Sequence, residues 1–184
     1  MHIDMDDLDR RDNLLGALVL TLSDRIRDET EAVLGHAGGA AAALAVVAQQ
    51  PGGTVEDLRR AIGRSHPATV RIVDRLVELG LVDRRPSGRG PAVALTATAQ
   101  GLERAREVVL VRRRVIREAM PDLTPEEATV LTGILDRALV RAAGLPRGVT
   151  VCRLCDKGGC RRADCPVVRG LAEQGLDVPP PSPL

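Results

Sequence analysis

Cys152, Cys155, Cys160 and Cys165 are all the cysteines of the chain, and they stand in the order C-x2-C-x4-C-x4-C. Four thiolates this close in sequence can surround one ion tetrahedrally, and Gly158-Gly159 lets the backbone turn tightly between them. The stretch CRLCDKGGCRRADC has the spacing of a zinc knuckle with cysteine in place of the usual histidine. Residues 149–170 carry five bases and two acids, a net of +3, which offsets the negative charge of a four-thiolate site. Zinc is the expected cofactor. Two alternatives stay open: an iron–sulfur cluster, because Cys165-Pro166 echoes the ending of some cluster motifs, and no metal at all, with redox-active thiols or disulfides. A knuckle that holds single-stranded nucleic acid depends on aromatic stacking, and the chain has no Phe, Tyr or Trp. The module is therefore expected to be structural or sensory. Four cysteines also close the coordination shell, whereas a catalytic zinc keeps one position for water.

Arginine carries the second chemistry. Lys157 is the single lysine, so nearly all of the 26 basic residues are arginine, a side chain that pairs bidentately with phosphate and guanine. The net charge of +1 hides a strong gradient. Residues 1–35 hold nine acids and four bases, a net of −5, whereas residues 59–91 hold eight arginines and three acids, a net of +5. Nothing comparable supports catalysis. No Ser/His/Asp signature or phosphate-binding glycine loop occurs, and His2, His36 and His66 are scattered. No catalytic residue is assigned, and an enzyme is not expected.

Periodicity supplies the elements that would position both groups. Apolar residues at Leu14, Leu15, Leu18, Leu22, Ile26 and Val33 predict an amphipathic helix over 13–34. A second, mostly buried helix follows over 40–50. Thr54 with Asp57 predicts a capped third helix, and Ser65 with Pro67 predicts the start of a fourth that ends near Gly80. Beyond Gly80 the period changes to two. Residues 81–85 and 92–96 predict a hairpin around the loop 86–91. A helix over 98–119 and another opened by Thr124-Pro125-Glu126-Glu127 complete the helical part. Three short helices followed by a basic-tipped hairpin make a winged helix-turn-helix, with 65–79 as the recognition helix. Its outward face presents Ser65, His66, Val70, Arg71 and Arg75, and the wing adds Arg85 and Arg89 for the minor groove.

With those motifs in place, the chain resembles the MarR family of transcriptional regulators. The resemblance lies in SHPATVRIVDRLVELGLVDRR (65–85) and SGRGPAVALTATAQG (87–101), and covers roughly residues 12–143. It implies a two-fold homodimer with interleaved first and last helices, bound to a pseudo-palindromic double-stranded DNA operator. It also implies a small-molecule effector between the dimer helices and the DNA-binding lobe; the cysteine module, independently of the resemblance, makes a redox signal the other expected effector. Where the family's wing has Asp-x-Arg, this chain has Ser87-Gly88-Arg89, so the arginine lacks its orienting acid. An effector pocket here would be aliphatic.

The expected fold class is mainly α (α+β): a winged helix-turn-helix with long N- and C-terminal dimerisation helices and a small four-cysteine module. The expected divisions are a dimerisation helix at 1–35, the DNA-binding lobe at 36–97 and dimerisation helices at 98–145. The four-cysteine metal-binding module then occupies 146–170 and a proline-rich tail 171–184. The expected function is a dimeric, sequence-specific DNA-binding regulator, a repressor. The alternative is a metal- or thiol-based redox protein whose helices serve assembly only. An acidic start, unlike a signal peptide, and no apolar run long enough for a membrane point to a cytoplasmic protein with no membrane partner.

Overall fold

The computed structural model describes residues 5–36, 38–86, 93–146, 148–156 and 164–176, with side chains of the first helix from residue 9. Helix α1 (Met5–Leu34) begins earlier than the apolar period predicts. It is followed by α2 (Ala40–Gln49), α3 (Val55–Ile62), α4 (His66–Glu78), β1 (Val82–Pro86), β2 (Val93–Ala97), α5 (Ala99–Ala119) and α6 (Pro125–Ala143). A 3-10 turn, Gly148–Cys152, and α7 (Pro166–Ala172) close the order. The sequence pattern gives no sign of α7, which runs past residue 170, into the expected tail.

Local chemistry explains the boundaries. Thr54 and Asp57 form a reciprocal capping box on α3, and Thr124 and Glu127 form another on α6. The Ser65 hydroxyl accepts from the Ala68 N–H, with Pro67 in the first turn of α4. Gly80 takes a left-handed conformation (φ 69°) that stops α4 and turns the chain into β1. The hairpin pairs antiparallel from Val82 with Ala97 to Pro86 with Val93, one residue later than the sequence pattern predicts. Leu95 also exchanges backbone hydrogen bonds with Gly52 and Gly53 (2.8 and 2.9 Å), which ties the wing to the turn before α3.

One core holds the lobe together. α2 is buried along nearly its whole length, and Leu44, Val73, Leu76, Val82 and Leu95 meet around it. Ala40, Ala43 and Ala48 allow the close helix approach that an aromatic-free core needs. α1 packs on α5 through its second half, where Arg25 pairs with Glu118 (2.8 Å) and Arg114 with Glu29 (2.7 Å). Those arginines, Arg114 foremost, hold the Glu29 carboxyl below its ordinary range. Residues 9–21 of α1 are exposed on every side, and none of α6 is buried except Ala143. No described helix is long and apolar enough to cross a membrane.

Candidate nucleic-acid interface

The outward face of α4 is built by its cap and its neighbours. Thr69, Val73 and Leu76 turn inward and are buried. That leaves Ser65, His66 and Arg71 exposed, and Val70 and Arg75 half-buried. The structure therefore brings these five residues onto one helix. Arg85 is exposed on β1 beside Asp83 (3.1 Å). Arg89 lies outside the described residues.

Ion pairing divides the arginines of the basic block into two groups. Arg59 and Arg60 both pair with Glu56 (2.7 and 3.0 Å), and Arg59 above all holds that carboxyl down to about 2. Arg75 pairs with Glu78 (3.0 Å), and Arg84 on β1 pairs with Asp74 on α4 (2.6 Å). The last pair fixes β1 to α4. Arg64 and Arg71 pair with no carboxylate among the described residues, so their guanidinium groups remain available to a phosphate or a base edge.

Arg64, Arg71 and Arg75 line a cleft of about 280 Å³ with His36, between the α1–α2 turn and α4. The Nε of Arg75 is buried there with no hydrogen-bond partner. The Arg64 guanidinium lies over Gly39, 3.6 Å from where a side chain would begin, an ordinary contact; glycine is favoured there by its left-handed backbone (φ 95°). Sequence reasoning passed over His36 and Arg64 because each sits in a turn, outside any periodic face. It also passed over the Asp74–Arg84 pair, since ten residues separate the partners and only the hairpin brings them together.

The cysteines lie elsewhere. Cys152 ends the 3-10 turn, the Cys155 N–H donates to the Cys152 carbonyl (3.1 Å), and Cys165 is buried at the start of α7. Cys152 packs against the small cluster of Ala143, Cys165, Val167 and Leu171. Cys160 lies outside the described residues. Among the described residues, no three His, Cys, Asp or Glu side chains are grouped to hold a metal ion.

Residues 36–90 match the family model described as MarR family. No curated protein sequence matches the chain. Among solved structures, the YusO protein of Bacillus subtilis is 20% identical with a TM-score of 0.62, over 74% of this chain and 97% of that one. A MarR family protein from Bacillus stearothermophilus is 22% identical with a TM-score of 0.62, over 74% and 96%. The apo form of MarR from E. coli is 20% identical with a TM-score of 0.58, over 76% and 99%. The chain therefore has the mostly helical, two-stranded winged-helix fold of MarR-type transcriptional regulators, and its sequence match to the MarR family spans residues 36–90.

Proposed function

We propose that this protein is a homodimeric transcriptional regulator, a repressor, that reads a pseudo-palindromic site in double-stranded DNA. The observation that carries the reading is the outer face of α4, where Arg71 is exposed and free of any carboxylate among the described residues. α4 lies in the major groove, with Arg71 on guanine and Val70 against a thymine methyl. Ser65, His66 and Arg64 meet phosphates near the amino end of the helix, where the backbone amides and the dipole favour anions. Arg85 and Arg89 extend along the minor groove.

Arg71→Ala is expected to weaken binding to the cognate duplex by ~1–3 kcal/mol and to relax one base preference. Arg89→Ala should weaken all duplexes evenly, since a minor-groove arginine answers mainly to electrostatic potential. Fluorescence anisotropy at several salt concentrations checks both, because phosphate neutralisation makes affinity fall with salt. Parental affinity in both variants at matched salt would sink this DNA-binding reading.

We also infer that Cys152, Cys155, Cys160 and Cys165 bind one zinc ion, a reading that rests on their spacing. Elemental analysis of the purified chain is expected to give one zinc per chain and no visible absorption. Cys152→Ser together with Cys155→Ser should abolish zinc retention. Iron with visible absorption would replace zinc by a cluster, and a metal-free protein would leave thiol redox chemistry.

A further inference from the structure

Within one chain, α6 packs on α7 and on the 3-10 turn, and among the described residues it makes no comparable contact with α1 to α5. We infer that the C-terminal segment formed by residues 148–156 and α7 is the link through which α6 sets the position of its own DNA-binding lobe. The inference rests on the dimeric DNA-binding reading, in which α6 faces the partner subunit.

The segment grips α6 at backbone distance. Val167 and Leu171 of α7 pack with Leu139 and Ala143 of α6, and Arg169 pairs with Asp136. A side chain begun at Gly170 would lie 2.4 Å from the Val140 carbonyl oxygen, and one begun at Gly148 would lie 1.9 Å from that of Ala143. Only glycine permits either approach, so α6 and the segment move as one body.

The other end of the segment is seated on α2 and α3 of the lobe and on α5, which packs on α2. Leu154 packs against Ala41 and Ala45 of α2 and Val108 of α5. Asp156 lies 3.8 Å from Arg113 of α5, and the 3-10 turn packs on α3. α3 in turn packs on α4. A tilt of α6 at the dimer interface is thus carried through the turn to α3 and on to the reading helix. Two such helices must meet half-sites at a separation fixed by the DNA repeat, so the tilt acts on operator affinity. Cys152 and Cys165 lie within this link, at the end of the turn and the start of α7.

The test uses the full chain with Gly170→Val or Leu154→Ser, which disturb opposite ends of the segment. Both variants are expected to remain dimers in light scattering. Hydrogen exchange of α3 amides should quicken about tenfold in both, while α2, buried in the lobe core, stays slow. A duplex selected by the parent protein from a randomised pool supplies the second readout. The parent is expected to lose about tenfold in affinity when one base pair is inserted between the half-sites, and the variants only about twofold. Unchanged α3 exchange and unchanged spacing preference in both variants would overturn the inference. Should Gly170→Val lose its helical circular dichroism, Leu154→Ser decides alone. Should the parent select no duplex, the DNA-binding reading fails and the exchange experiment alone decides the link.

Discussion

Leu18→Asp combined with Ile134→Asp is expected to turn a dimer of about 39 kDa, twice the 19.6 kDa chain, into a monomer. Leu14, Leu15, Leu18 and Val19 are exposed on α1, and Val130, Ile134 and Leu135 on α6, although the chain's own core is well packed. Apolar stripes of this length on two long helices mark the surface that the proposed partner subunit would cover. A charge placed in such a surface meets desolvation with no partner, at a cost of several kcal/mol. The same change is harmless to the lone chain, where both positions face water, so circular dichroism should stay helical. Affinity for a two-half-site duplex should fall by roughly a hundredfold or more, because each monomer then holds a single half-site. Leu20 supplies the control: it is exposed too, but by helical period it faces away from Leu14, Leu18 and Leu22. Leu20→Asp is expected to leave the dimer intact. Light scattering at micromolar concentration decides, and a dimer that survives the double substitution would defeat the reading.

The parts of this fold that were legible in the sequence are those written by short-range chemistry. Thr54, Ser65 and Thr124 each announce a helix start because a hydroxyl and an amide three residues on satisfy each other locally. The change of period after Gly80 announces the hairpin because side chains alternate on a strand. The outer face of α4 follows from helical period alone, so Ser65, His66 and Arg71 are found exposed as expected. What escaped depends on contacts between distant segments. α7 is seven residues long, too short for a periodic signal, and stands because Val167 and Leu171 are buried against α6. Arg64 becomes part of a cleft only when the α1–α2 turn folds over it. The cysteine spacing suggests a common ligand set, yet spacing alone carries no distances between the sulfur atoms.

A large single-residue effect on stability is expected at Gly101, in the first turn of α5. The Thr98 N–H donates to the Leu81 carbonyl (3.0 Å), and the Thr98 hydroxyl donates to the Gly80 carbonyl (2.7 Å). The same hydroxyl accepts from the Gly101 N–H (3.0 Å), so one threonine clamps the start of α5 onto the turn that launches the wing. This clamp leaves no room at Gly101, where a Cβ would stand 2.0 Å from the Leu81 carbonyl oxygen. The obstacle is backbone held by hydrogen bonds, not a side chain free to swing aside. Gly101→Ala must therefore part α5 from the wing, at an expected cost of roughly 3–5 kcal/mol, in the range of severe overpacking. In a chain of this size that lowers Tm by about 10 °C or more. Gly133 is the matched control. It too is helical, but the nearest atom to its Cβ position is the tip of Arg137 at 3.7 Å, an ordinary contact. Gly133→Ala adds the same methyl group and is expected to stabilise by about 0.5–1 kcal/mol through helix propensity. Thermal denaturation of the two variants beside the parent should move in opposite directions. If Gly101→Ala melts with the parent, the close approach of α5 to Leu81 is not a feature of the folded protein. The wing then owes its position to the Asp74–Arg84 pair and the Leu95 bridge instead.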